Sequence, residues 1–214
     1  MRTKHASALL GATLSLVLAG LSIAAEQAPP MVLPHGQHDV RAATAGTYTL
    51  DVAHTAIITR VSHLGFSMSA FRFGKSRATL QWDPAHMEKS RLNASVETGS
   101  IATPVPGFAE QLHGKDYLNV PRFPVATFVS TAFRPKDFAH GKVDGRMTLL
   151  GKTVPVTFDV TLIGAGPGFA ASPTMGHVIG IHAIATVDPK AIGLPAVFSD
   201  PIEIAVDTEF TKKG

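Results

Sequence analysis

The feature that most constrains the fold of this chain is an alternation of apolar and polar residues between Thr153 and Leu162. Every second position in this segment carries an apolar side chain: Val154, Val156, Phe158, Val160 and Leu162. Successive side chains of a β-strand point to opposite faces of the sheet, so the segment predicts a strand with one apolar face. Burial of one face only is typical of antiparallel sheets, because parallel sheets are covered on both faces.

Two further segments, residues 92–97 and 202–210, show the same alternation, and turn-forming pairs such as Asp83-Pro84 separate the apolar stretches. The connection at Gly151-Lys152 is short enough to predict a β-hairpin. We therefore expect an all-β domain of about eight antiparallel strands, and this pattern alone is compatible with either a sandwich or a closed barrel.

Two segments depart from the alternation. Phe108 and Leu112 stand four residues apart within residues 107–117, and this spacing predicts a short helix. The glycine-rich stretch at residues 164–176 is expected to be the longest loop and the most mobile one.

The N-terminal residues have the pattern of a secretory signal. Arg2 and Lys4 precede an uncharged apolar run of about 16 residues, and the small residues Ala24 and Ala25 follow it. The run is shorter than the roughly 20 residues that a membrane span needs. We expect a cleaved signal peptide at residues 1–25, a proline-containing linker at 26–45 and a barrel domain at 46–214. The mature protein is then periplasmic or secreted, with no membrane-spanning segment.

The charge balance and the absence of cysteine exclude several classes of function. The chain has 19 lysines and arginines against 16 aspartates and glutamates, and two of those cations belong to the expected signal peptide. A nearly neutral mature protein is not expected to bind nucleic acid through its overall charge. Because the chain has no cysteine, disulfides, thiolate metal ligands and cysteine nucleophiles are excluded.

Several motifs in order resemble those of the YceI family of exported, lipocalin-like proteins. Tyr48–Thr55 (YTLDVAHT) and Val61–Phe66 (VSHLGF) resemble the opening of the family. The resemblance continues through four later segments: residues 100–103, 112–118, 122–130 and 145–156. It covers the chain from Thr47 to about Lys212. It implies an eight-stranded antiparallel barrel around an apolar tunnel, with a helix at one side, that binds a polyisoprenoid or related long-chain lipid and is compatible with a homodimer.

One segment departs from the family pattern. Where the family has a motif of the type Asn-Arg-Ser-Asp/Glu-Phe-Gly, this chain has Asp188-Pro189-Lys190-Ala191-Ile192-Gly193. The glycine is kept, whereas the arginine, the acidic residue and the aromatic residue are absent. The departure leaves open whether this chain takes the same ligand as its relatives.

The residues expected to contact a lipid are mainly aromatic. They are Phe66, Phe71, Phe73, Phe108, Leu112, Tyr117, Phe123, Phe128, Phe158 and Val160. Phe158 lies on the apolar face of the clearest strand and is predicted to point inward. The direction of Phe128 stays open, because Val125, Val129 and Phe133 occupy the opposite parity of its segment. Ordinary core packing is the alternative for each of these residues.

Other functions remain open on the sequence alone. A fatty acid or fatty amide would fill the same tunnel, and the polar residues expected at its mouth are Tyr48, His54, His113 and Tyr117. A metal-dependent enzyme would require His54, His63 and His113 to converge, yet no HExxH or His-x-His pair supports this arrangement. A third alternative is a structural partner protein whose tunnel is filled by its own side chains. Our expectation is a non-enzymatic lipid carrier without metal or cofactor.

Overall fold

The computed structural model describes residues 33–169 and 176–212. The strands in this part of the chain are β1 (Gly46–His63), β2 (Ser67–Phe73), β3 (Ser76–Trp82), β4 (Arg91–Glu97), β5 (Ile101–Ala102), β6 (Val125–Pro135), β7 (His140–Leu149), β8 (Lys152–Pro167), β9 (His177–Val187) and β10 (Ile202–Lys212). One short helix, α1 (Phe108–His113), follows β5. Short 3₁₀ turns are formed by Val40–Ala42, Met87–Lys89 and Thr98–Ser100.

Eight of the strands close into an antiparallel barrel. Around the ring the order is β10, β9, β8, β7, β6, β4, β3 and β1, and β1 pairs again with β10. The closing ladder runs from Thr49, opposite Thr211, to Arg60, opposite Glu203. The predicted eight-stranded antiparallel barrel with a short helix is therefore confirmed, and closure removes the exposed sheet edges of the ring.

Strand β1 is long enough to have different neighbours along its length. Residues Gly46–Thr49 pair with β3, whereas Ile57–His63 pair with β2. A bulge between Asp51 and Thr55 separates the two parts. Strand β5 adds two residues to the outer edge of β2, so β2 and β5 extend the wall beyond the ring.

The two ends of the barrel are covered differently. At one end, here called the Val40 end, residues 37–43 pack beside the β6–β7 turn. Gln37 pairs with Ala165, and the Val40 amide donates to the Phe138 carbonyl over 3.0 Å. At the other end, here called the α1 end, α1, residues 114–120 and residues 188–201 cover the opening.

The N-terminal boundary of the folded part differs from the predicted one. Residues 26–45 were expected to be a linker, yet Val40 and Ala43 are buried in the barrel core. Gly36 crosses β8 so closely that a Cβ on Gly164 would lie 2.8 Å from the Gly36 Cα. The expected signal peptide, residues 1–25, lies outside the described residues.

The predicted hairpin and helix are present with altered bounds. Leu149 pairs with Lys152, so Leu150 and Gly151 form the two-residue turn rather than Gly151 and Lys152. Both have positive φ, 52° and 73°, as the hairpin turn that suits strand twist requires. Helix α1 is shorter than the predicted residues 107–117, because Gly107 is left-handed and Gly114 is extended.

The segment expected to be a long loop, residues 164–176, is partly strand. Strand β8 continues to Pro167, and the six residues 170–175 lie outside the described residues. Pairing of β8 with β9 resumes at Gly164, opposite Gly180, after a register shift. In the described part of the chain no helix is long and apolar enough to span a membrane.

Candidate functional site: an apolar cavity inside the barrel

The barrel encloses a cavity of about 320 Å³. Its wall consists mostly of aliphatic and aromatic side chains from the inward faces of the ring strands. An eight-stranded barrel is just wide enough to be filled by its side chains or to hold one small ligand. The cavity shows that this barrel is not filled by its own residues.

The middle of the cavity wall contains an aromatic pair. The rings of Phe128 and Phe158 meet edge to face, with centroids 5.2 Å apart. Gly145 on β7 makes room for this pair, since a Cβ at that position would lie 2.3 Å from the Phe128 Cζ. The Phe158 side chain points inward as the alternation in β8 predicts.

A bulge in β6 resolves the direction of Phe128. The register of β6 against β7 shifts between Ser130 and Ala132. Phe128 before the shift and Phe133 after it therefore both line the cavity, although they have opposite parity. Val129, which alternates with Phe128, is 48% exposed on the outside.

A second apolar cluster closes the α1 end. It consists of Phe71, Ile101, Leu112 and Leu118 and is distinct from the main core. Tyr117 on this side meets Phe198 edge to face across the opening, with centroids 6.1 Å apart. Both aromatic rings line the cavity.

The segment that departs from the family motif completes this closure. Ile192, which stands where the family has an aromatic residue, is only 2% exposed and lines the cavity together with Leu194. The turn is held by the Leu194 amide, which donates to the Pro189 carbonyl over 3.0 Å. The segment thus contributes aliphatic rather than aromatic surface to the wall.

The Val40 end combines apolar residues with paired charges. Val40, Trp82 and Met87 line the cavity there. Arg134 forms two hydrogen bonds of 2.6 Å with Asp144, and Lys142 is paired with Asp159. The Arg134 guanidinium and the Thr157 hydroxyl lower the pKa of Asp144 to about 2.

Polar atoms of the wall are mostly satisfied within the protein. The buried Thr98 hydroxyl donates to the Phe123 carbonyl over 2.8 Å, and the buried Thr208 hydroxyl lies 2.7 Å from that of Thr55. Among the described residues, two buried side-chain nitrogens lack a hydrogen-bond partner, Nε1 of Trp82 and Nε2 of His113. Of these two residues only Trp82 lines the cavity.

Seven of the ten residues predicted to contact a lipid line the cavity. They are Phe71, Phe73, Leu112, Tyr117, Phe128, Phe158 and Val160. They come from β2, α1 and its following turn, β6 and β8, and the fold brings them around one interior space. Their contact with a ligand stays a prediction.

Three of the ten do not line the cavity. Phe66 is 86% exposed at the β1–β2 turn, because the hairpin continues past Arg60, the last β1 residue paired with β10. Phe108 packs on the outer side of Phe71, with centroids 6.1 Å apart. Phe123 packs against Gly151 near the surface, and a Cβ added to Gly151 would lie 2.9 Å from the Phe123 ring.

Cavity residues that the sequence analysis did not name fall into two groups. The first comes from the alternation of β1 and β9 and includes Ile57 and Ile179; the same period-two pattern that identified the apolar face of β10 could have found them. The second comes from strand ends and loops and includes Trp82 and Phe198. No local pattern marks residues of this second group.

The polar residues expected at the tunnel mouth are dispersed. Tyr48 is fully buried outside the cavity wall and donates from its hydroxyl to the Thr44 carbonyl over 2.7 Å. Burial raises the pKa of this phenol. His54 lies on the outer surface, and His113 lies on α1 away from the wall. Of the four, Tyr117 alone lines the cavity.

Three histidines do not converge as a metal-dependent enzyme would require. In the described part of the chain, the group whose potential ligand atoms lie within 4.8 Å of one another is Asp51, His54 and Glu209, without His63 or His113. His54 Nδ1 is 2.9 Å from Asp51 Oδ2. This hydrogen bond raises the pKa of His54 and lowers that of Asp51. None of the three lines the cavity.

Comparison with known proteins identifies related chains. The YceI-like domain family matches residues 48–210. A UPF0312 protein of Pseudomonas fluorescens (strain SBW25) is 31% identical over 173 residues, covering 79% of this chain and 88% of the relative. A UPF0312 protein of Pseudomonas putida (strain W619) is 29% identical over 175 residues, covering 80% of this chain and 89% of the relative.

Solved structures share the fold. Burkholderia cenocepacia BcnA aligns with a TM-score of 0.65 at 22% identity, covering 75% of this chain and 98% of BcnA. A Campylobacter jejuni YceI protein aligns with a TM-score of 0.63 at 21% identity over 72% of this chain and 91% of its own. A polyisoprenoid binding domain from Saccharophagus degradans aligns at 0.54 and 12% identity over 77% and 97%. With its closed eight-stranded barrel and the match across nearly all of its described residues, this chain belongs to the YceI-like family.

Proposed function

We propose that this protein is an exported, non-enzymatic carrier of one long apolar lipid such as a polyisoprenoid or an isoprenoid quinone. The single observation that carries the proposal is the interior cavity, whose wall is almost wholly apolar from Leu112 at one end to Val40 at the other. Water finds few hydrogen-bond partners at such a wall, whereas a hydrocarbon chain is transferred out of water when it enters the cavity.

The energetics suit a chain-like ligand. Burial of each methylene group contributes roughly 0.8 kcal/mol. Part of this gain is offset because the ligand loses translational and conformational freedom. Aromatic rings such as Phe128 and Phe158 supply large, rigid contact area at little entropic cost. Binding of this kind needs neither a charged group nor a reactive side chain.

The related proteins support the same class of ligand. The Saccharophagus degradans domain that shares this fold is described as binding polyisoprenoid. The match to the YceI-like family over residues 48–210 reaches every strand of the barrel ring. Catalysis at the surface group Asp51, His54 and Glu209 would act outside the cavity, so it does not compete with this proposal.

Uptake is proposed to occur at the α1 end. The cover there is built from a helix of six residues and the connecting segments 114–120 and 188–201, whereas the Val40 end is joined to the barrel by backbone hydrogen bonds. Short elements held by side-chain contacts open at lower free-energy cost than paired strands. The Tyr117–Phe198 contact is the natural place for the opening.

The test is native mass spectrometry of the protein isolated from the organism's exported fraction, with lipid analysis of an organic extract. We expect a discrete adduct that is released as a prenyl chain or quinone. The Phe158→Asp variant places a carboxylate in the wall and should lose the adduct. Phe138→Asp is the matched control, because Phe138 is 54% exposed and its variant should keep the adduct.

Other outcomes of this experiment would change the assignment. Release of a fatty acid or fatty amide would replace the isoprenoid ligand while keeping the carrier function. Folded protein without any lipid would refute the carrier and favour a structural partner role. The native mass also tests the homodimer that the family resemblance implies, and N-terminal sequencing of the same material tests cleavage after Ala24 or Ala25.

A further inference from the structure

Three large apolar side chains are exposed together where the β1–β2 hairpin leaves the barrel. Leu64 is 66% exposed, Phe66 86% and Met68 55%. Single exposed apolar residues are common on protein surfaces, whereas several at one place mark an interaction site. These three side chains lie within five residues of one hairpin, so they call for a partner.

The hairpin carries this group past the rim of the barrel at the α1 end. The ladder between β1 and β10 ends at Arg60, whereas the ladder between β1 and β2 continues to His63, opposite Ser67. Four residues of a strand beyond Arg60 span roughly 13 Å. We call residues 61–69 the β1–β2 tip. Strand β2 runs back from the tip to Phe71, which belongs to the apolar cluster of the α1 end, so the tip projects from the end at which uptake is proposed.

Few polar groups of the tip depend on contact with water. The Phe66 amide donates to the His63 carbonyl over 3.0 Å, and the Gly65 amide donates to the Ser62 hydroxyl over 3.1 Å. Residues 61–71 include no Asp, Glu, Lys or Arg. Unpaired backbone groups and charges are what make entry into an apolar medium costly. The tip therefore meets the main requirement for such entry.

The β7–β8 turn shows the same pair of residues in a packed setting. Leu150 and Gly151 have positive φ, as do Leu64 and Gly65 at 54° and 77°. Leu150 is half-buried, and Phe123 lies against Gly151. For an exposed hairpin turn of this kind, Asn or Asp before Gly is the usual choice. An exposed leucine suits neither the backbone conformation nor water, which indicates that the β1–β2 tip has a partner outside the described residues.

The size and charge of this surface favour a lipid bilayer over a protein. Three side chains expose on the order of a few hundred Å², whereas a stable protein interface buries about 800 Å² on each partner. Amphipathic elements that lie on membranes enter the boundary between headgroups and acyl chains by roughly 5–10 Å. The tip is long enough for this depth, and its lack of charged residues matches the hydrocarbon boundary.

We propose that the β1–β2 tip inserts Leu64 and Phe66 into the surface of a lipid bilayer and holds the α1 end against it. A ligand then passes between the bilayer and the cavity without crossing open water. This passage rests on the proposed carrier function, whereas docking of the tip does not.

Insertion of this kind should depend little on lipid charge. The nearest cations along the hairpin are Arg60, which is paired with Glu203, and Arg72, which donates to the Thr55 carbonyl. Neither lies within the tip. We therefore expect neutral vesicles to bind the protein about as well as anionic ones, and added salt to leave the binding unchanged.

Vesicle flotation of the full mature chain tests the docking. The probes are phosphatidylcholine vesicles with and without phosphatidylglycerol, at low and at high salt, and we expect the protein to float with all of them. Leu64→Asn/Phe66→Ser keeps a turn that asparagine favours and should lower the partition coefficient at least about tenfold. Phe138→Ser removes an exposed aromatic residue at the Val40 end and should bind like the unaltered protein.

A fluorescent label locates the inserted residues. The chain has no cysteine, so Phe66→Cys and Phe138→Cys each provide one attachment point for an environment-sensitive dye. We expect the emission to shift to the blue on vesicles for the label at position 66 and to stay unchanged for the label at position 138. A blue shift at position 138 alone would overturn the orientation.

The other failures are distinguishable. Protein that stays in solution with every vesicle overturns the docking, and a lipid adduct in the native mass spectrum would show that the carrier function survives. Flotation only with phosphatidylglycerol, lost at high salt, overturns insertion in favour of binding by charge. A dimer that Leu64→Asn/Phe66→Ser converts to a monomer, without flotation, would mean that a second copy covers the tip. Flotation without any lipid adduct upholds the docking and removes the carrier function.

Discussion

The two ends of this barrel are closed by different physical means. The Val40 end belongs to the main core, and backbone hydrogen bonds from Gln37 to Ala165 and from Val40 to Phe138 join it to the strands. The α1 end is covered by a separate apolar cluster around Leu112 and Leu118, contributed by short elements, together with Ile192 of the main core. One end is thus an extension of the sheet, and the other is a cover of packed side chains.

This difference in closure indicates which end of the barrel can open. Hydrogen-bonded strands break cooperatively, because losing one pair leaves buried backbone groups unsatisfied. A cluster of side chains on a short helix can separate without disturbing the ring. We therefore expect motion, and ligand exchange, at the α1 end and a stable core at the Val40 end.

The sharpest test of this comparison removes the same atoms from each end. Ile179 and Leu112 are both buried, at 2% and 5% exposure, and truncation to alanine removes three carbon atoms from either. We expect Ile179→Ala to lower the free energy of unfolding by about 3 kcal/mol. Leu112→Ala should lower it by less than half as much, because its cluster loosens separately.

Hydrogen exchange completes that test. The Leu118 amide donates to the Leu112 carbonyl over 3.0 Å, so it should exchange faster in Leu112→Ala while the amides of β9 stay protected. Equal losses of global stability in the two variants, with uniform exchange, would mean that both ends belong to one cooperative unit. The comparison would then be wrong.

The width of the cavity between its two ends depends on the absence of a side chain at Gly145. A methyl group at this position would lie 2.3 Å from the Phe128 ring and 2.7 Å from the Val129 carbonyl. Gly145→Ala should therefore push Phe128 into the cavity and cost about 1–3 kcal/mol of stability, together with a loss of affinity for long chains. Thermal unfolding and lipid titration measure the two effects.

A second variant checks the cause. Phe128→Leu replaces the ring that a Cβ at position 145 would displace. Gly145→Ala should therefore lower the free energy of unfolding by less in the Phe128→Leu background than in the wild-type protein. If the two changes are simply additive, the clash with Phe128 is not responsible.

Uptake rates compare the two ends directly. Phe198 closes the α1 end against Tyr117, whereas Phe138 lies on the β6–β7 turn at the Val40 end, where Arg41 stacks on it at 3.8 Å from the ring centroid. Phe198→Ala should speed uptake of a fluorescent lipid probe by about threefold, as loss of one aromatic contact allows. Phe138→Ala should leave the rate unchanged. Faster uptake in the Phe138 variant would move the entrance to the other end.

The smallest effect is expected at the β1 bulge, which separates the parts of β1 that face the two ends. The His54–Asp51 hydrogen bond raises the pKa of His54 and lowers that of Asp51. The raised pKa of His54 stabilises the fold below the ordinary value of 6.5, and this contribution is lost as pH rises through the raised value. The lowered pKa of Asp51 stabilises the fold above 3.8, and this contribution is lost as pH falls through the lowered value.

His54→Gln should therefore reduce stability most between about pH 4 and 6.5, by less than about 1 kcal/mol because both groups are near the surface. Urea unfolding across this range measures the difference between the two proteins. A stability difference that does not depend on pH would show that His54 acts through packing alone.

Much of the barrel could be predicted from local patterns in the sequence. The inward faces of β8 and β10 follow from alternation, because side chains of a regular strand change face at every residue. Phe158 and Val160 were found in this way. Periodicity did not distinguish a barrel from a sandwich, and the resemblance to YceI-like motifs was what favoured the barrel.

The remaining features were decided by the tertiary structure. Bulges in β1 and β6 reverse the parity of the residues that follow them, and for this reason Phe128 and Phe133 both face the cavity. A bulge depends on how two strands pair, and residues on one strand do not reveal it. Closure of β1 on β10, the cover formed by Ile192 and Phe198, and the buried donor of Trp82 all depend on contacts between distant parts of the chain. Alternation along the sequence established which faces are apolar, whereas packing between distant strands decided that those faces enclose a cavity.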